Sequence, residues 1–125
     1  SSWTINNLNE SKILPYIIEC MDETSFFTCG NIESIILNLI RPSDVHFIHS
    51  HPNKQVALYY CNLNWEDGWY GETMFYDPND LEKVSYTSLY KPGRIILFDG
   101  SIPHAIRPQS IRGPKYRISL TLIFR

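Results

Sequence analysis

The stretch Arg117-Ile118-Ser119-Leu120-Thr121-Leu122-Ile123-Phe124 decides the fold class of this chain. Ile118, Leu120, Leu122 and Phe124 recur at every second position, with Arg117, Ser119, Thr121 and Ile123 between them. A period of two marks a β-strand, whose successive side chains leave opposite faces. The wholly apolar face calls for a layer packed outside the sheet. The other face then looks into a sandwich or barrel, carrying an arginine, a serine and a threonine. An inward arginine needs an anion, because an unpaired charge in a dry interior is costly. An edge strand with a solvated polar face gives the same alternation, so this segment alone leaves both readings open.

Upstream, seven further segments read as short strands: Ser34–Ile40, Val45–Ser50, Gln55–Leu63, Glu72–Tyr76, Lys83–Ser88, Arg94–Phe98 and His104–Arg107. They are punctuated by Arg41-Pro42-Ser43-Asp44, Asp77-Pro78-Asn79-Asp80, Lys91-Pro92-Gly93 and Arg112-Gly113-Pro114. Such clusters supply the fixed or positive φ angles that turns require. Eight short strands at this spacing argue a sandwich or barrel, of which the jelly roll is the commonest eight-stranded form. The one good helical pattern is Ile13, Leu14, Ile17, Ile18 and Met21, after a capping stretch Asn9-Glu10-Ser11 and with Pro15 in the first turn. It predicts a helix over 10–22, the candidate for the outer layer. The expectation is a mainly β chain, a jelly roll with an N-terminal helix packed on one sheet. It forms one domain over 1–125, with a helical part at 1–32 and a β core at 33–125.

Composition agrees and excludes other classes. At 125 residues the chain holds one domain. With 43% apolar and 19% charged residues it is neither disordered nor a coiled coil. A net charge of −2 gives no electrostatic reason to expect a nucleic-acid partner. No apolar run approaches the roughly 20 residues that cross a bilayer, and Ser1-Ser2-Trp3-Thr4 does not begin a signal peptide. Cys20, Cys29 and Cys61 are odd in number and widely spaced, so they read as reduced thiols, and the expected compartment is the cytoplasm.

Three of the four histidines, His46, His49 and His51, fall within six residues. On a strand His49 and His51 leave the same face, with Cβ atoms roughly 7 Å apart, and can share one metal. His46 would point to the opposite face and reads as structural. A polar strand end with solvated histidines is the plainer alternative for the pair. His104 follows the strand Arg94–Phe98 and its turn, so a third ligand can come from a distant strand. Three ligands on one side of a metal leave the other side open, the geometry of mononuclear non-haem iron sites.

The segments Tyr59-Tyr60-Cys61-Asn62-Leu63-Asn64-Trp65, Gly71-Glu72-Thr73-Met74-Phe75, Lys91-Pro92-Gly93-Arg94-Ile95-Ile96-Leu97-Phe98-Asp99, His104 and Arg117-Ile118-Ser119 occur in that order. Together they resemble the prolyl-4-hydroxylase-like branch of the iron(II)/2-oxoglutarate-dependent dioxygenases, over roughly residues 34–125. The resemblance implies a double-stranded β-helix (a jelly roll) flanked by helices. It also implies Fe(II) as the metal and 2-oxoglutarate as co-substrate. The family's H-x-D ligand pair falls on His49-Ser50-His51 and its distal histidine on His104. The arginine that pairs with the far carboxylate of 2-oxoglutarate falls on Arg117, whose forked donors suit a carboxylate. Ser119 completes an R-x-S motif. Tyr60 matches the second Tyr of the Tyr-Tyr-x-Asn strand, whose phenol reaches the same carboxylate. Asn38 is a further lining candidate, with a plain buried strand polar as its alternative.

Two positions depart from the family pattern. His51 stands where the family has Asp or Glu, leaving a metal there with its full charge. Tyr70-Gly71 replaces the usual Gly-Gly. The implied reaction uses O2 to hydroxylate a C–H bond of a peptide or small-molecule substrate, while 2-oxoglutarate loses CO2 to become succinate. Two rivals remain at this level. One is a three-histidine dioxygenase of the cupin type that uses no 2-oxoglutarate, with Arg117 holding the substrate's own carboxylate. The other is a catalytically inactive jelly roll that binds a metal or a partner. Glu66–Glu82 carries six acids and no Lys or Arg, and reads as a solvated loop, with a rim for cationic substrates as the alternative. Trp65, Trp69 and Tyr70 could stack a substrate ring or pin that loop to the core.

Overall fold

The computed structural model describes Tyr16 and residues 32–125, and these form a mainly β structure of seven antiparallel strands. The strands are β1 (Ile32–Ile40), β2 (Gln55–Tyr60), β3 (Thr73–Asp77), β4 (Asp80–Ser88), β5 (Ile95–Asp99), β6 (His104–Ile106) and β7 (Arg117–Phe124). One sheet runs β1-β7-β2-β5 and the other β4-β3-β6. The helix expected over 10–22 lies outside the described residues except for Tyr16. The ring of Tyr16 meets Tyr59 edge-on, with centroids 6.3 Å apart.

The alternation in Arg117–Phe124 is resolved by where β7 lies. Flanked by β1 and β2, it is an interior strand of its sheet and is covered on both faces. Leu120, Leu122 and Phe124 join Ile35 and Ala57 in one apolar cluster, with Leu37, Tyr59, Ile95 and Leu97 packed around it. These side chains share the outer face, the one to which Tyr59 and its neighbour Tyr16 belong. The inner face faces the three-stranded sheet. Phe98 of β5 meets Phe75 of β3 at 4.8 Å between ring centroids and His104 of β6 at 5.0 Å. Leu58, Tyr60 and Tyr90 form a second cluster on this inner side, with Trp65, Ile96 and Phe98 against it.

Turn chemistry fixes the connections. At Lys91-Pro92-Gly93-Arg94, the Arg94 amide donates to the Lys91 carbonyl at 3.0 Å, and Gly93 takes φ +80°. Proline at the second position and a positive φ at the third make this a type II turn. The β3–β4 hairpin turns on Asp77, whose carboxylate accepts from the Asn79 amide at 2.9 Å.

One expected strand is absent as such. Val45–Ser50 makes a single bridge, His49 opposite His104, and is otherwise irregular. Its alternate residues Val45 and Phe47 are 75% and 79% exposed, so no apolar face anchors it against a sheet. Among the described residues no helix is long and apolar enough to cross a membrane.

Candidate metal centre

Two backbone clamps bring three distant histidines together. The His49 amide donates to the His104 carbonyl at 3.0 Å, and the His104 amide returns a bond to the His49 carbonyl at 2.9 Å. Two residues on, the His51 amide donates to the Gly100 carbonyl at 2.6 Å, in the turn between β5 and β6. Ring centroids of His49, His51 and His104 are then 4.4 to 5.4 Å apart. One ligating nitrogen from each lies within 4.8 Å of the others. An ion at roughly 2.0–2.1 Å from each nitrogen draws such atoms to about 3 Å apart, which ring rotation about χ angles supplies.

The donor chemistry fits a metal. His49 Nδ1 meets the Phe47 carbonyl at 3.1 Å, and His104 Nδ1 meets the Ile102 carbonyl at 2.7 Å. A carbonyl only accepts, so Nδ1 carries the proton in each ring and Nε2 keeps its lone pair for an ion. Burial pulls His104 down to about 4, and the residue is only 7% exposed. Burial also lowers His51, with a smaller contribution from the nearby His49. Both are therefore neutral near pH 7, the state that ligates. His49 is exposed, which leaves a way in from solvent.

The three rings open into a cavity of about 140 Å³ between the sheets. At roughly 30 Å³ per water molecule, that is room for four or five waters. Val56, Leu58, Phe98 and Ile106 make it largely apolar, and Asn38, Thr73 and Thr121 add polar groups. Asn38 Nδ2 donates to Thr121 Oγ1 at 3.3 Å, so the Asn38 side chain does line the site. His46 lines it too, against the expectation that it turns away. The alternation that would have sent it to the far face applies to a strand, and this segment is not one.

Arg117, Tyr60 and Ser119 are each completely buried and form one polar cluster beside the cavity. Arg117 donates from Nε to the Gly71 carbonyl at 2.7 Å, from Nη2 to Thr73 Oγ1 at 3.2 Å and from Nη1 to Ser119 Oγ at 3.5 Å. Its guanidinium also faces the rings of Tyr60 and Tyr90 at 5.2 and 5.0 Å. Burial lowers its pKa, opposed by Tyr60, Tyr90 and Glu72. Among the described residues no carboxylate lies within 4.0 Å of it. Thr73 links this cluster to the histidines, since it lines the cavity and its hydroxyl bonds Tyr60 Oη at 2.7 Å. Directly across β3–β4 from Thr73 stands Ser88, whose buried Oγ has no hydrogen-bond partner among the described residues. An arginine without an acid and a hydroxyl without a partner are what an incoming carboxylate would satisfy.

Thr73, Ser88, Gly100 and the cavity-facing role of His46 escaped the sequence reading. Only Thr73 carried a signal, a polar residue in the apolar run Thr73–Phe75. Trp65 pins its loop, as one of the two alternatives held. Its indole packs on Tyr90 with centroids 4.0 Å apart and donates to the Tyr70 carbonyl at 3.0 Å. The departure Tyr70-Gly71 is built into that loop, with φ of 63° and 80°. Cys61 is a free, half-buried thiol pushed up to about 11 by burial, away from the histidines' ligand set. Cys20 and Cys29 lie outside the described residues. Comparison with protein families, curated proteins and solved structures finds no match.

Proposed function

We propose that this chain is a jelly-roll, Fe(II)- and 2-oxoglutarate-dependent dioxygenase that hydroxylates a C–H bond of a peptide or small molecule. The observation that carries the reading is the pairing of three convergent imidazoles with a buried arginine that lacks an acid, joined through Thr73. The jelly-roll reading is supported by strand order. If the 45–50 segment, bridged to β6, is counted as a second strand, the sheets run 1-8-3-6 and 5-4-7-2 in chain order. Successive strands then alternate between facing sheets, except for the hairpin of strands 4 and 5, as in a double-stranded β-helix.

His49, His51 and His104 would hold the ion through Nε2, and the ion would supply activation of O2 and oxidative decarboxylation of 2-oxoglutarate. Arg117 holds the far carboxylate by its donors, with the hydroxyls of Tyr60, Thr73 and Ser88 turned to it. Replacing buried water by these fixed donors orients the co-substrate before reaction. Val56, Leu58, Phe98 and Ile106 keep water from the reacting centre.

A second reading rests on the all-imidazole donor set. A three-histidine dioxygenase without 2-oxoglutarate would use Arg117 to hold the substrate's own carboxylate. Oxygen uptake and succinate formation, measured on the Fe(II)-loaded protein with and without 2-oxoglutarate, separate the two. Succinate formation that Arg117→Met abolishes supports the first. Oxygen uptake indifferent to 2-oxoglutarate supports the second.

A further inference from the structure

No acidic side chain lines the metal cavity among the described residues. Among the described residues Glu72 is the one acid that acts on Arg117, and it pairs with Arg107 at 3.5 Å, so its charge is already matched. The acids Glu66, Asp67 and Glu72 line a separate cleft that shares no residue with the cavity. A divalent ion on three neutral imidazoles brings two positive charges, and Arg117 brings a third. Bound 2-oxoglutarate offsets two of the three. One positive charge is left over, in a largely apolar space where uncompensated charge is expensive. An acid at position 51 would have cancelled it, and His51 does not.

We propose that the missing negative charge comes from the substrate, which presents a carboxylate beside His51 and the metal. This inference rests on the metal and 2-oxoglutarate reading above and narrows its substrate class to carboxylic acids, free or carried on a peptide side chain. Donors for the group are in place, since the His46 ring and the Asn38 amide line the same cavity. The anion and the ion stabilise each other, so each binds more tightly when the other is present.

Zinc is redox-inert, so calorimetric titration of Zn(II) into the protein with saturating 2-oxoglutarate, at constant ionic strength, tests this without turnover. Saturating acetate is expected to tighten zinc binding at least tenfold, and acetamide, its neutral isostere, to change it less than twofold. In His51→Asp the protein supplies the charge, and the acetate effect falls below twofold. A capped peptide with one Asp, against the same peptide with Asn, shows whether the carboxylate can be peptide-borne. If acetate and acetamide act alike, or if acetate acts equally on His51→Asp, the inference is wrong. If 2-oxoglutarate itself fails to tighten zinc binding, the co-substrate reading falls, and the acetate arm, run without it, decides the anion site alone. Failure of zinc to bind overturns both.

Discussion

Gly100 shows how a residue with no side chain can position a candidate metal ligand. A Cβ at this position would lie 2.7 Å from the His51 carbonyl oxygen and 3.0 Å from its Cβ. Gly100→Ala therefore pushes His51 away from its partners, and metal affinity is expected to drop about tenfold or more in a competition titration. Unchanged affinity would show that the Gly100–His51 contact does not position the ligand. His104 adds a pH signature in the metal-free protein. Burial holds it near 4 in the folded chain against 6.5 when unfolded. Between those values the unfolded chain binds a proton that the folded chain refuses. Stability is full above about pH 6.5 and falls as pH drops toward 4, by up to about 3 kcal/mol. Urea unfolding across that window measures it, and His104→Gln is expected to flatten the profile. The histidine pair and Arg117 were legible as residues because polar groups at fixed spacing among apolar residues stand out. Thr73 and Gly100 were not, because a threonine is an ordinary strand former and a glycine an ordinary turn former. Their importance comes from neighbours 44 and 49 residues away in the chain, Arg117 and His51.

At the scale of elements, β7 carries most of what could be read ahead. Its alternation sorts the core from the site, with Leu120, Leu122 and Phe124 on the outer face and Arg117 and Ser119 on the inner one. Leu122 is fully buried in that outer cluster. Leu122→Ala removes its methyl groups and leaves a cavity, with an expected cost of about 2–5 kcal/mol in denaturant unfolding. Because Leu122 points away from the cavity, metal affinity should stay within twofold in variant protein that remains folded. A large loss of affinity would mean that the two faces of the sheet are not independent. The reading of Val45–Ser50 as a strand succeeded only at His49, the one residue bridged to β6. Alternating apolar and polar residues make a segment eligible for a sheet, but a strand also needs an anchored face and a partner edge. β4 makes the complementary point, being a nine-residue strand although nearly every residue in it is exposed. Its pairing with β3 through the Asp77 turn holds it, and the sequence reading found only its later part, Lys83–Ser88.

In the whole molecule, the site exists because of strand order. β2 and β7 lie side by side at the centre of one sheet, and β3 and β6 pair in the other. That arrangement sets Tyr60 and Arg117 opposite Thr73, and His104 opposite Phe98. Strand order follows from non-local pairing, which local pattern does not encode, so a mainly β fold was legible while the arrangement of its sheets was not. The function proposed above needs this arrangement to make a metal centre served by a buried anion site. Anaerobic titration of Fe(II) into the protein with 2-oxoglutarate, followed by visible absorption, tests it most directly. One ion per chain is expected, with a charge-transfer band that requires 2-oxoglutarate, and His104→Ala is expected to lose both ion and band. An absence of stoichiometric binding, or binding that His104→Ala leaves intact, would contradict it.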